Sequence, residues 1–455
     1  MSTTIRPNQA RHAIGGYPGS RSPAAVVLAL GWAGAAAVLA LWWHDTNAVV
    51  GSADWILGGG RIAGLLAGYC CALLVALMAR IPALEQGVGS DRVSRWHAMA
   101  GRYTICLLLA HIVLILWGYS VQAHKSVVGE TIHVVLTYPD MIMGAIGGLL
   151  LIGVGVVSMR AVRRKMGYEV WYYLHLLTYV AVFLVFWHQL ALGVDFVGSA
   201  YARAFWYALY VGAACAVLWY RILAPLRLNA RHRLRVASVV RETPDVVSVL
   251  VTGRRLPELG ARPGQFLRWR FLAPGLWWTA SPYSLSAAPR PDMIRITVKA
   301  TGGHSAALAR LHPGTRILAE GPYGALTAER RTRQKVLLLA GGVGVTPLRA
   351  LFESLPARPG DLTLIYRAST EKDLALRGEL EEIAKARKAR LHMTVNMRDG
   401  RRPALTANSL RRVLPDIAQH DVYLCGPPGM AQAAYEALRT AGVAARHIHH
   451  ESFEL

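Results

Sequence analysis

Two patterns of apolar residues divide the chain. From about residue 24 to 223, long apolar runs recur between short polar breaks. Beyond about residue 226, apolar positions alternate with polar ones or gather into short runs between Gly and Pro turns. A hydrocarbon core about 30 Å thick takes about 20 apolar residues of helix. Six segments are long enough: 24–43, 55–79, 98–120, 140–159, 171–193 and 202–223. The first follows a long leader with no clear cleavage site, so it is read as a span rather than a signal peptide.

In the second half, residues 231–330 carry strand-like runs ("RLRVASVVRE", "VVSVLVTG", "GQFLRWRF", "MIRITVKA", "TRILAEGP") that predict a small antiparallel β-barrel. From residue 335 the pattern becomes strand, glycine-rich turn and helix: "KVLLLA", "GGVGVTP", "LRALFESL". It continues through "DLTLIYRA", "LHMTVNM" and "DVYLCGP", predicting a parallel sheet. The expected fold is a six-span membrane α-helical bundle followed by a soluble α/β module. The expected divisions are a tail at 1–23, the membrane part at 24–225, the barrel at 226–330 and the nucleotide-binding part at 331–455.

Charge then gives direction. The chain has 455 residues, a net charge of +23, 53% hydrophobic residues and 17% charged. The basic residues sit beside the ends of the apolar runs and form no nucleic-acid motif, so no nucleic-acid partner is expected. Arg80, Arg92 and Arg95 lie between spans two and three; Arg160, Arg163, Arg164 and Lys165 lie between four and five. Arg221, Arg227, Arg231, Arg233 and Arg235 follow span six, and Arg6, Arg11 and Arg21 precede span one. The opposite loops hold little beyond Lys125 and Arg203. Both termini and the soluble module are therefore expected in the cytoplasm of a multi-pass cell-membrane protein. Of the five cysteines (Cys70, Cys71, Cys106, Cys215, Cys425), none shows disulfide or metal-ligand spacing.

Spans three and five then run the same way, and each carries two histidines. His97 and His111 are fourteen positions apart, His175 and His188 thirteen. At 1.5 Å per residue, both separations are roughly 20 Å. Two such helices side by side offer one imidazole pair near the cytoplasmic face and one near the outer face. Each pair can supply both axial ligands of a haem. Thirteen residues turn His188 about 140° from the face of His175 in an ideal helix, so either a kink or tightened turn in span five or differently rotated haems are expected.

The glycine-rich turn lets backbone amides approach a pyrophosphate at a helix's positive end. Arg367, after the next strand, stands where such folds place an acid for the ribose hydroxyls; an arginine there suits a 2′-phosphate, with a solvated arginine as the alternative.

Taken together and in order, these motifs resemble the NADPH oxidase and ferric reductase superfamily over essentially residues 24–455, and the soluble half is similar to ferredoxin–NADP reductases. "SPYSLSAAP" (281–289) resembles the flavin motif, which implies that Pro282, Tyr283 and Ser284 contact the isoalloxazine. "VKATGGHS" (298–305) resembles the FAD-pyrophosphate segment and implies Lys299, Gly303, His304 and Ser305 near phosphate. "GPYG" (321–324) resembles the turn closing that domain. "AGGVGVTP" (340–347) resembles the NADPH pyrophosphate loop, implicating Gly341, Gly342, Gly344, Thr346 and Pro347. "CGPPGM" (425–430) resembles the nicotinamide-side motif, with Cys425, Gly426 and Pro427 beside the reacting carbon. "HHESFEL" (449–455) implies that Phe453 covers the flavin until nicotinamide displaces it. The chain departs from the family at Ser281, where His or Arg is frequent, and in continuing past the aromatic with Glu454 and Leu455. No calcium-binding loop precedes span one.

Arg61, inside span two, resembles an arginine that the family places near the outer haem; alternatively it snorkels to the interface. The implied activity is an NADPH-dependent transmembrane oxidoreductase with FAD and two haem b. Electrons would leave cytoplasmic NADPH for an outer acceptor, dioxygen (giving superoxide) or a ferric chelate, with the lipid bilayer as surroundings and no obligate protein partner. The rivals are a haem-free membrane anchor or transporter carrying a flavoprotein reductase, and an electron donor to a quinone or a periplasmic protein.

Overall fold

The computed structural model describes residues 23–45, 51–396 and 404–451. The membrane half contains α1 (Pro23–Asp45), α2 (Ser52–Leu77), α3 (Pro82–Gly87), α4 (Ser90–Ala123), α5 (Val127–Thr137), α6 (Met141–Val157), α7 (Arg160–Arg163), α8 (Tyr168–Leu192), α9 (Val194–Val197), α10 (Ala200–Val217) and α11 (Ala224–His232). Five helices among the described residues are long and apolar enough to cross a membrane, and a sixth crossing arises only if α5 and α6, bent by 115°, are counted as one. The fourth expected span, 140–159, is therefore a shorter helix of 17 residues. Pro139 removes the N–H that would continue α5, and Asp140 at φ 57° reverses the chain. The last span overruns its expected end. A π-turn at Leu218–Leu223 leads into α11, and the helical run reaches His232. Pro225 lies in the first turn of α11, where its missing N–H disturbs the ladder.

Small residues set the helix packing. A Cβ on Gly60 would lie 2.9 Å from Ile115, and one on Gly118 2.6 Å from Leu57, so α2 and α4 approach with glycine at the contact. Gly147 does the same for α6 against Val185 and Ala181 of α8. The result is two close helix pairs, α2 with α4 and α6 with α8, while the backbones of α4 and α8 hardly meet. Large apolar side chains such as Trp32, Val113, Leu149 and Phe183 are exposed, as lipid-facing surfaces require.

The soluble half begins with β1 (Arg235–Thr243), β2 (Val246–Thr252), β3 (Phe266–Phe271), β4 (Ser281–Ser284), β5 (Ile294–Lys299) and β6 (Ile317–Tyr323), with α12 (Gly303–Ala307) before β6. These form two three-stranded antiparallel sheets, ordered β1-β2-β5 and β4-β3-β6. Single bridges, Arg235 to Arg316 and Leu285 to Ile296, join them at both edges. Val249, Leu267, Trp269, Phe271 and Ile296 fill one shared core. The strand-like runs omitted β4 because Pro282 interrupts its signal; an edge strand tolerates that proline.

The last unit is a five-stranded parallel sheet of β7 (Lys335–Gly341), β8 (Leu362–Ala368), β9 (Arg390–Val395), β10 (His420–Cys425) and β11 (Ile448–His450), ordered β11-β10-β7-β8-β9. Its helices are α13 (Val345–Ser354), α14 (Arg377–Arg387), α15 (Ala407–Val413) and α16 (Pro428–Thr440). Leu338 and Leu364 pack with Leu348 and Phe352 of α13 and Leu380 of α14, while Leu337 and Leu339 pack with Leu410 of α15 and Ala434 and Leu438 of α16. Helices thus cover both faces. The strand order reverses between β7 and β10, and the crevice at their carboxyl ends is where doubly wound sheets take ligands.

The two halves meet at the corner between α2 and α4. Arg80 lies 5.3 Å from the centroid of the Tyr323 ring and pairs with Glu85 at 3.4 Å, while Arg330 donates to the Gly87 carbonyl at 2.9 Å. Burial pushes the Arg80 guanidinium below its ordinary value, and neighbouring Glu85 opposes that shift.

Candidate functional site

In the membrane half, α4 and α8 bring together the four histidines read from the sequence. The rings of His97 and His175 face each other with centroids 6.0 Å apart and planes 76° apart. His188 is an electrostatic neighbour of His111. The helix α8 is continuous from Tyr168 to Leu192, so no break turns His188. Instead it leans over α6 at Gly144, where a Cβ would lie 2.9 Å from His188 Cγ.

Each pair has one anchored ring. His111 Nδ1 lies 2.8 Å from the Gly60 carbonyl, and a Cβ on Gly64 would collide with the same ring at 2.5 Å. His175 Nδ1 lies 3.3 Å from Ser158 Oγ. By contrast, Nδ1 of His97 and of His188 is buried without a partner at hydrogen-bond geometry, although Leu74 and Val185 backbone groups lie beside them. Two metal–nitrogen bonds of about 2 Å each, end to end between imidazoles, give a centroid separation of about 6 Å. The inner pair fits a metal held by two histidines, and the weak backbone contact of α4 with α8 leaves room between them. Among the described residues no group of three or more His, Cys, Asp or Glu is arranged to hold a metal ion; a two-imidazole site needs none. Arg61 is half-buried, adjoins Gly60 in sequence and lies within electrostatic reach of Tyr119.

In the soluble half, the glycine turn and the "CGPPGM" motif meet at the crevice. A Cβ on Gly344 would lie 2.5 Å from the Cys425 carbonyl oxygen, and one on Gly426 3.2 Å from Gly341 Cα. Gly341 also meets Met430 and Pro427, and Gly342 takes φ 53°. Thr346 Oγ1 donates to the Val343 carbonyl at 3.0 Å, with Thr346 and Pro347 buried in the first turn of α13. Cys425 is buried, its thiol 3.9 Å from the Glu451 carbonyl. Arg367 pairs in register with Gly341 and is half-buried.

The two flavin-like motifs also touch. Ser281 Oγ lies 3.4 Å from His304 Nδ1, and Ser305 Oγ accepts the N–H groups of Thr301 and Gly302 at 2.9 and 3.1 Å. Gly303 opens α12. Pro282, Tyr283 and Ser284 lie on β4, where the Tyr283 carbonyl accepts from Trp269 Nε1 at 2.9 Å. Burial raises the Tyr283 hydroxyl above its ordinary value. Lys299, at the end of β5, pairs with Asp245 at 3.0 Å and Asp373 at 3.7 Å, and the Asp245 hydrogen bond raises its pKa. Two carboxylates there answer its charge. Phe453 lies outside the described residues.

Ser158, Trp171 and the glycines at 60, 64 and 144 surround the histidines without having been singled out in the sequence. The spacing of Gly60 and Gly64, one turn apart, is the one signal that announces a close helix contact. A serine and a tryptophan beside a span carry no such signal.

Comparison with known proteins places a ferric reductase like transmembrane component over residues 63–186 and an oxidoreductase NAD-binding domain over residues 338–436. The ferredoxin reductase component of 3-ketosteroid-9-alpha-monooxygenase from Mycolicibacterium smegmatis is 34% identical over 231 residues, 49% of this chain and 65% of that protein. A flavohemoprotein from Bordetella pertussis is 32% identical over 245 residues, 48% of this chain and 60% of that protein. The chain thus spans less than two thirds of these relatives' own length. The flavohemoglobin structure from Malassezia yamatoensis aligns at 20% identity and a TM-score of 0.45, covering 86% of this chain and 96% of that one.

Proposed function

The chain has the architecture of the NADPH oxidase and ferric reductase superfamily, a ferric reductase like membrane component ahead of an oxidoreductase NAD-binding domain, and from that premise we propose that it carries electrons from cytoplasmic NADPH across the membrane to an outer acceptor. The observation that supports this reading most is the pairing of four histidines on two helices. His97 meets His175, and His188 neighbours His111, in the same chain as a nucleotide crevice. FAD, when bound, takes two electrons with a hydride and gives them up singly, and haem b passes one at a time.

The chain's own residues do the positioning. Gly341, Gly342, Gly344 and Gly426 keep side chains out of the crevice so that backbone N–H groups can reach a pyrophosphate, and the positive end of α13 faces it. Arg367 favours NADPH by meeting the 2′-phosphate. Cys425 and Pro427 border the nicotinamide, and Phe453 shields the flavin face until the nucleotide displaces it. Pro282, Tyr283 and Ser284 line the isoalloxazine, with Gly303, His304 and Ser305 toward the FAD pyrophosphate and Lys299 held near them by its two aspartates. His97 and His175 hold the inner haem, His111 and His188 the outer one. Arg61 attracts an anionic acceptor or holds a propionate. The basic loops keep both termini and the 226–330 and 331–455 units in the cytoplasm. Dioxygen and ferric chelates are the acceptors this reading admits.

The test is anaerobic reduction of the purified protein with NADPH, followed by separate addition of oxygen and of a ferric chelate. Two low-spin haems per chain, reduced through the flavin and reoxidised by one of the two, are expected. A haem-to-protein ratio of one or zero in well-folded protein refutes the reading, and zero with full dye reduction identifies a haem-free anchored reductase.

A further inference from the structure

The inner pair is asymmetric. His97 Nδ1 has a backbone group of Leu74 beside it and no side-chain partner at hydrogen-bond geometry, whereas His175 sits in a frame of side chains. Ser158, which caps the C-terminus of α6, places its Oγ 3.3 Å from His175 Nδ1 and 3.3 Å from Trp171 Nε1. Trp171 lies one turn before His175 on α8 and stacks on it, with centroids 5.1 Å and planes 25° apart. The Arg163 guanidinium covers the indole at 4.1 Å from its centroid. We propose that Ser158 and Trp171 are positioning residues that hold the His175 imidazole nearly perpendicular to that of His97, with Nε2 left to bind the inner iron. This rests on the two-haem reading above.

The contacts fit the tautomer with its proton on Nδ1. An indole N–H donates only, so Trp171 occupies one lone pair of Ser158 Oγ. The second lone pair is then available to Nδ1–H of His175. A neutral imidazole with its proton on Nδ1 presents a free lone pair on Nε2, the form a metal takes. Were the hydroxyl to donate instead, the proton would sit on Nε2 and close that site. Both contacts are at the long end of hydrogen bonding, so the stacked indole does more than the hydroxyl to set the ring plane. Arg163 keeps the indole in place from the surface, since cations are drawn to an aromatic face.

The orientation is open to measurement. Ferric low-spin iron between perpendicular imidazoles gives a highly anisotropic electron paramagnetic resonance signal, and between parallel ones a rhombic signal. In the full-length protein, one of the two haem signals is expected to be of the anisotropic kind. Trp171→Ala and Ser158→Ala should move that signal toward the rhombic form, the other remaining unchanged, with the haem-to-protein ratio still two. Trp171→Phe, which keeps a stacking ring, and Ser158→Thr, which keeps the hydroxyl, should retain it. Ser158→Ala removes two hydrogen bonds without opening an indole-sized cavity, so it serves if Trp171→Ala fails to fold. An unchanged anisotropic signal in fully loaded Ala variants overturns the positioning roles alone. Wild-type protein without haem overturns the two-haem reading, and this inference with it.

Discussion

Gly344→Ala tests how the nucleotide crevice is built. Gly344 has φ −61°, which any residue adopts, so an added methyl brings no backbone strain. Its cost is contact. The new Cβ would stand 2.5 Å from the Cys425 carbonyl oxygen, 2.7 Å from that carbonyl carbon and 2.8 Å from the Gly426 nitrogen. Non-bonded carbon contacts are comfortable at about 3.5–4.0 Å, so the turn after β7 and the end of β10 must part by about 1 Å. Backbone cannot rotate away as a long side chain can. Overpacking of this kind costs about 1–3 kcal/mol. If the displacement falls on the nucleotide-binding geometry, NADP⁺ affinity drops by about five- to 150-fold, at 1.4 kcal/mol per tenfold. Titration of the purified protein with NADP⁺, followed by flavin fluorescence, measures this. Gly378→Ala is the control: no atom lies within 4 Å of its Cβ, it sits within α14, and alanine there should stabilise by up to about 1 kcal/mol. A Gly344→Ala protein that binds NADP⁺ within twofold of wild type would show that the close approach of β7 and β10 does not shape the site.

Other outcomes follow from the same geometry. Asp421 is fully buried; burial pushes its carboxyl up, but the His449 imidazole 3.5 Å away and the N–H groups of Thr332 and Arg333 prevail and hold it at about 2, with His447 Nδ1 a further neighbour at 3.0 Å. A depressed carboxyl stabilises fully above its unfolded value of about 4, and that contribution, about 2 kcal/mol, is lost as pH falls through 4 toward 2. Asp421→Asn should therefore lower the melting temperature at pH 7 and flatten the acid limb of melting temperature against pH; an unaltered acid limb would refute the assignment. Arg80→Ala removes a cation over Tyr323 worth about 0.5–2 kcal/mol, so on the proposed function NADPH-driven reduction of the haems assigned to the membrane half should slow while reduction of a soluble dye does not; equal loss of both contradicts a role of Arg80 in seating the two halves. Arg367→Ala should raise the KM for NADPH about ten- to a hundredfold and leave NADH unchanged, read from steady-state rates with each nucleotide. Phe453→Ala should tighten NADP⁺ binding with stability little altered, and a lower melting temperature with unchanged affinity would make it a plug instead of a gate.

Much of this was legible in the sequence because it depends on local pattern. Apolar runs of spanning length mark helices wherever they later sit, and five of the six segments answer to helices of crossing length. The alternation after residue 226 announced the antiparallel strands, and the run "KVLLLA" before "GGVGV" announced a buried strand with a tight turn. The failures are as local in cause. Pro282 hid β4, and Pro139 with Asp140 cut short the fourth span. The near-equal spacing of the histidines, fourteen on one helix and thirteen on the other, made a pair at each depth readable, whereas the choice between a kink and differently rotated haems needed the structure, in which α8 runs unbroken past His188.

What residue order determined by itself was which side chains exist at which depth and which turns require glycine, because chain geometry fixes rise and rotation per residue. What only the tertiary structure decided was which neighbours those side chains meet. The meeting of Ser158 and Trp171 with His175, the support of His188 over Gly144 and the pairing of Lys299 with Asp245 and Asp373 join residues from different elements. Such contacts depend on helix rotation and strand order, which packing sets through the exclusion of overlapping volumes, and no periodicity along one segment contains that information.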